Sequence, residues 1–129
     1  MTLQEEFAGW LREFDALVRA VDFASARAYF TEDAIGFGTY GVLLTGREEL
    51  EQGQWRQIWP NIRNFCFRLD QLTCGAEGDL GWLACPWDSD GVRPDGSTFD
   101  RPGRATIIFR REGGRWRACH THFSLYPTR

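Results

Sequence analysis

The sequence contains no lysine; every basic residue is arginine. That absence removes Schiff-base chemistry, the anchoring of pyridoxal phosphate and the phosphate-gripping lysine of a P-loop. Histidine is nearly as scarce, with only His120 and His122, so a zinc site built from imidazoles lacks a third ligand and no metal is expected. Cys66, Cys74, Cys85 and Cys119 show no CxxC or other metal-type spacing, and each lies in or beside an apolar run. They read as buried free thiols rather than a disulfide framework. No apolar run approaches the roughly 18 residues of a membrane span, and the start, MTLQEEFAGWL, is acidic where a secretory signal is basic. The expectation is a cytoplasmic protein without a membrane partner. The formal charge of -3, with arginines scattered among 18 acids, provides no basic patch for nucleic acid.

What is present fits one globular domain over residues 1–129, with 43% hydrophobic and 26% charged residues. Residues 2 to 21 carry Leu3, Phe7, Trp10, Leu11, Phe14, Leu17, Val18 and Val21 at three- and four-residue steps, the pattern of an amphipathic helix. Thr2 and Glu5 have capping-box spacing at its start. A shorter helix is expected from about Phe23 to Phe30, with Asp22 as N-cap. The apolar, glycine-punctuated IGFGTYGVLL then reads as a short strand and irregular loop. Thr45 and Glu48 repeat the capping-box spacing and open a third helix that carries Leu50, Trp55, Ile58 and Trp59 and stops at Pro60.

The period changes in the second half. Residues 62 to 74, 80 to 87, 104 to 111 and 115 to 125 read as four antiparallel strands. Helices first and strands later point to an α+β fold. The polar stretch from Asp88 to Gly103 is expected to be a mobile loop or an extended hairpin tip, and its DSDG lacks the further ligands of a calcium loop.

Three passages in this order, YFTEDAIGFG, TGREEL and GRATIIFRREGGRWRACHTHFS, resemble the SnoaL-like domains of the nuclear transport factor 2-like, cystatin-like superfamily over essentially the whole chain. The resemblance implies a cone: three N-terminal helices packed in a strongly curved mixed or antiparallel sheet, with an apolar internal pocket at its wide end and a homodimer formed through the sheet. Trp55, Trp59, Trp82 and Trp87 are then the expected aromatic pocket walls, because the third helix and central strands line the family's cone. Phe7 and Phe14 are expected in the core.

Enzymes of this superfamily include ketosteroid isomerases, polyketide cyclases, dehydratases and an epoxide hydrolase. The isomerases use an aspartate base beside an oxyanion hole of a tyrosine and a protonated aspartate, a worked case of carboxyl tuning. Similarity to that family aligns the base with Gly38 and the tyrosine with Phe14, neither of which can do the chemistry. The epoxide hydrolase's two aspartates bridged by arginine also lack a match, since residues 80 to 87 and 104 to 111 carry no acid and Asp70 alone does not make the pair.

His120 and His122 remain. At i and i+2 on a strand they share a face with Trp116, Ala118 and Ser124, provided no bulge intervenes. They are readable as an acid/base pair, with Asp33 as a conceivable orienting partner, or as satisfied polar groups lining a pocket. Arg104 can offer a forked donor to a ligand carboxylate or pair with Asp100, and Tyr40 can present its hydroxyl at the pocket mouth. The first expectation is a protein that binds a small hydrophobic or aromatic molecule bearing a polar group. Its pocket would comprise Tyr40, Trp55, Trp59, Trp82, Trp87, Arg104, Trp116, His120 and His122, with no cofactor. The second is a cofactor-independent lyase, isomerase or cyclase using His122 or His120. The third is an association module whose cone is filled by its own side chains.

Overall fold

A computed structural model describes residues 1–39 and 41–127. The first helix, α1 (Leu3–Ala20), starts where its local chemistry says it should: the Thr2 hydroxyl accepts from the Glu5 backbone N–H at 3.1 Å. It ends because Val21 takes a left-handed conformation (φ 54°), which turns the N–H groups of Val21 and Asp22 back onto the carbonyls of Val18 and Leu17. Asp22 caps α2 (Phe23–Ala26), as expected, but that helix tightens into a 3₁₀ turn over Arg27–Tyr29 and Phe30 already opens a strand.

The third helical segment departs further from expectation. Its cap is Gly46, and Glu49 rather than Glu48 accepts from the backbone N–H of Thr45 at 2.8 Å. It runs as α3 (Arg47–Leu50), a π-helical turn (Glu51–Trp55), α4 (Arg56–Ile58) and a 3₁₀ turn (Trp59–Asn61). The α-helical part ends at Ile58 and Pro60 lies within the closing 3₁₀ turn, so the segment ends within a residue of the proline, as expected.

Among the described residues eight strands follow or intervene: β1 (Phe30–Phe37), β2 (Leu43–Thr45), β3 (Ile62–Phe67), β4 (Thr73–Glu77), β5 (Leu80–Val92), β6 (Thr98–Asp100), β7 (Gly103–Glu112) and β8 (Arg115–Leu125). Their order is β2-β1-β8-β7-β5-β3, with β4 and β6 also paired to β5. Four strands were expected in the second half besides a short one in IGFGTYGVLL; the 62–74 run breaks at a 3₁₀ turn, Leu69–Gln71, and the long polar stretch takes the hairpin alternative, in which β5 continues to Val92 and β6 returns. The sheet is mixed because β1 lies parallel to β8. The fold is α+β, with α1 against the inner face of a curved, unclosed sheet.

The apolar stripe of α1 drives that packing. Phe7 and Leu11 are fully buried, and the Phe7 ring lies 4.6 Å from Phe109 and 5.3 Å from Trp116. Each such side chain contributes about 2 kcal/mol by leaving water. No helix among the described residues is long and apolar enough to cross a membrane.

Candidate ligand cavity

Beyond the dense end of the core the aromatic side chains stop short of one another. Phe14 and Val18 of α1, Trp55, Ile58 and Trp59 of the third helical segment, Phe65 of β3, Trp87 of β5 and Phe123 of β8 surround a cavity of about 40 Å³. Trp55 and Trp59 stack at 5.2 Å, and Trp87 lies 5.3 Å from Phe65. Half-exposed Thr39, Ile58, Ile62 and Arg101 form its rim.

The π turn places the polar component. Glu51, Gln54 and Trp55 are all buried on this turn, and such turns recur at functional sites. Glu51 anchors it by accepting from Arg27 Nη2 at 2.9 Å and Arg56 Nη2 at 2.8 Å. The hydrogen bonds from Arg27 in particular, with those from Arg56, pull its carboxyl down to about 2 despite burial. The Gln54 side chain points over Gly38: a Cβ added there would sit 2.9 Å from Gln54 Nε2. The position that aligns with the isomerases' base is therefore a glycine beneath an amide. Trp87 Nε1 is buried without a hydrogen-bond partner among the described residues. Trp10 Nε1, Trp116 Nε1, Thr31 Oγ1 and Thr121 Oγ1 share that condition, but only Trp87 among them borders the cavity.

Of the expected pocket residues, the structure brings Trp55, Trp59 and Trp87 together. Tyr40 lies outside the described residues. The other five are elsewhere, and strand geometry explains why. A bulge at Cys119 breaks the β7–β8 register, so that Phe109 faces Ala118 but Ile108 faces His120. The extra residue inverts the alternation: Trp116 and Ala118 point inward, and after the bulge Thr121 and Phe123 do, leaving His120, His122 and Ser124 on the outer face. Trp116 belongs to the core beside Phe7, Trp82 is 45% exposed on the outer face over Gly75, and Arg104 donates to Ser124 Oγ at 3.1 Å on that same face, not to Asp100.

His120 and His122 flank Phe37, with ring centroids at 6.2 and 5.2 Å. Partial burial, and then the neighbouring His122, lower the His120 pKa. Asp33 does not orient either imidazole; it pairs with Arg110 at 3.3 Å. Among the described residues no three histidine, cysteine or acidic groups converge as a metal would need. Of the thiols, Cys85 is buried and burial pushes it up to about 12, whereas Cys66 is exposed, contrary to expectation, because it faces away from the core on β3.

Sequence reasoning overlooked Gln54, Arg101, Phe123 and Asp15. Gly53 inside a helical run was a signal for an irregular turn at Gln54; its missing Cβ makes room for Leu44, whose Cδ2 would lie 2.9 Å away. Asp15 interrupts the apolar stripe of α1 between Leu11 and Val18, which marks it as a buried acid. Its carboxylate accepts from the Phe67 N–H at 3.2 Å, while Arg19 one turn on donates to the Phe65 carbonyl at 2.7 Å. The pair thus satisfies the free edge of β3. Burial raises Asp15 to about 6, against the opposing pull of the Phe67 hydrogen bond and Arg19.

A helix cradled by a curved mixed sheet, with an aromatic cavity at one end, is the cystatin-like architecture of the nuclear transport factor 2-like superfamily. The SnoaL-like domain model matches residues 10–128, and the chain belongs to that family. A nuclear transport factor 2-like superfamily protein from Salmonella enterica serovar Typhimurium superposes with a TM-score of 0.83 at 16% identity, covering 97% of this chain and 92% of its own. A candidate dehydratase from Streptomyces avermitilis gives 0.81 at 18% identity, covering 96% of both chains. A protein with a cystatin-like fold from Caulobacter vibrioides gives 0.78 at 13%, covering 95% and 89%. At these identities the likeness is one of fold. No curated protein matches the chain.

Proposed function

We propose that the protein binds a compact, largely apolar molecule carrying one polar group, and that the cavity between α1, the π turn and the sheet is where it binds. One observation carries this reading: an aromatic-walled cavity is lined by Gln54 and by Trp87, and the Trp87 indole N–H is buried without a hydrogen-bond partner among the described residues. A buried group without a partner costs about 1–3 kcal/mol, which a ligand or water reaching the indole N–H would offset. Binding is favoured over acid/base catalysis because the side chains around the cavity, among the described residues, include no carboxyl and no imidazole. The polarity expected from His120 and His122 is supplied in this reading by Gln54, Trp87 and Arg101.

The outer face supports the proposed homodimer. Rows across it run Trp82–Ile108–His120–Ile35 and Ala84–Thr106–His122–Phe37. Its flanking charges pair within the chain, Arg110 with Asp33 and Arg68 with Asp88. Such local neutralisation suits an isologous contact, in which each surface meets its own copy.

The binding reading is tested by thermal unfolding with a panel of compact probes, including 1-butanol, butyramide and butyrate, in wild type and in Val18→Leu, which adds a methylene to the cavity wall. A probe at tenfold its Kd should raise the wild-type Tm by about 3 °C or more, and the filled variant should not respond. Equal responses in both proteins, or none in wild type, contradict it.

A further inference from the structure

We propose that the contact between two copies on the outer face closes only while His120 and His122 are neutral, so that acidification separates the dimer. The inference rests on the homodimer proposed above and adds its regulation.

The bulge at Cys119 puts both imidazoles on the outer face, and strand order puts them in its middle. β8 is an inner strand, flanked by β1 and β7. His120 lies between Ile108 and Ile35, and His122 between Thr106 and Phe37. In the single chain His120 is half-buried and His122 exposed. A second copy laid on this face takes both out of water.

The acids around them are already engaged. Arg110 of β7 pairs with Asp33 of β1 at 3.3 Å and with Glu112 at 3.5 Å. Cys119, next to His120 on β8, donates its thiol proton to the Ile108 carbonyl, and burial raises its pKa, so it stays neutral. Ile35 and Phe37 on β1, and Trp82 and Ala84 beyond β7 on β5, carry no charge. Arg104 of β7 donates to Ser124 Oγ and borders the same outer groove as His122, which adds a cation rather than an acid. Burial and then His122 lower the His120 pKa, and no acid offsets them among the described residues.

Isologous symmetry gives the direction of the switch. The same patch stands on both sides of the contact, so protonation places four imidazolium groups in one desolvated interface with no acid to answer them. Association therefore holds the imidazoles below their free-chain pKa. It is full above that value and is lost as pH falls through it. A histidine one pH unit below its pKa is about nine-tenths protonated, so requiring one imidazole of each copy to shed its proton weakens association about 100-fold there. Whole-chain charge runs the other way: the two added protons take the formal -3 of each chain to -1, which reduces repulsion between copies. Loss of the dimer in acid thus comes from the contact itself.

The test is sedimentation equilibrium of the wild type at pH 7.5 and pH 5.0 and constant ionic strength, beside the double variant His120→Gln, His122→Gln, whose amides do not titrate. The wild-type dimer Kd should rise at least about tenfold in acid, and that of the variant should change less than about threefold. A wild-type Kd that does not rise overturns the switch and leaves the dimer standing, whereas a wild type that is monomeric at both pH values overturns both. A variant that dissociates in acid as the wild type does overturns the role of the histidines. Should the variant not associate at pH 7.5, NMR titration of the wild-type imidazole C–H signals above and below the dimer Kd decides: the midpoints should be lower in the concentrated sample, and equal midpoints overturn the proposal.

Discussion

Replacing Asp15 by asparagine should make the protein more stable at neutral pH while leaving it little changed in acid. The carboxyl is 2% exposed, and burial lifts it from 3.8 to about 6 in the folded protein. Near pH 3 both the folded and unfolded chains hold it protonated. As pH rises from about 4 to 6 the unfolded state ionises first, so stability falls; above 6 the folded state carries the full cost of a buried charge. That cost is about 3 kcal/mol, at 1.36 kcal/mol for each tenfold change in proton affinity. Asparagine keeps an oxygen to accept from the Phe67 N–H and cannot ionise. Urea unfolding of both proteins at about pH 4 and pH 8 should show the stability difference moving by about 2–3 kcal/mol in favour of Asp15→Asn. Glu51, Asp22, Asp33 and Asp88, whose pKa values are lowered, are common to both proteins and cancel in that difference. A difference that stays constant across this range refutes the idea that burial dominates at Asp15.

Glu51→Gln should destabilise the fold by about 2 kcal/mol at neutral pH, because the amide leaves two arginines without a buried carboxylate partner. Glu51 titrates near 2 when folded, so its contribution is full above about pH 4.5 and fades as pH falls toward 2; denaturation at several acidic pH values should show the gap to wild type closing. Gly36→Ala should cost about 2 kcal/mol, since its Cβ would lie 2.5 Å from Thr121 Oγ1 and 2.9 Å from the Thr121 carbonyl, a backbone atom that cannot step aside. Trp82→Glu should raise the dimer dissociation constant at least about tenfold by sedimentation analysis, with thermal stability of the monomer unchanged. A wild-type chain that is monomeric at tens of micromolar contradicts the outer-face dimer.

The helical half was legible where stability is decided by neighbours in the chain. Thr2 and Asp22 cap the helices they precede, and the stripe from Phe7 to Val18 faces the core. Legibility failed where a distant contact decides. The parallel pairing of β1 with β8 joins segments at opposite ends of the chain, and no local pattern in IGFGTYG announces it. The strand around the histidines was correctly placed, yet its faces were not: one inserted residue, Cys119, transfers His120 and His122 from the inner side to the outer. A bulge is set by the register against β7, which sequence periodicity does not contain. The cavity shows the same division. Trp55, Trp59 and Trp87 were expected as walls from the resemblance to the family's cone, an argument that misplaced Trp82, whereas the polar lining depends on a π turn and on the double tie of Arg101 to Ser89. Arg104 drew attention because it lies on a strand; Arg101, three residues earlier in the turn before that strand, is the arginine that reaches the cavity.

The most direct measurement is a high-resolution crystal structure of the purified protein soaked with butyrate. Density is expected in the cavity within hydrogen-bond distance of Trp87 Nε1. A dry, empty cavity, or an indole N–H turned away to bond the protein, would contradict ligand binding there.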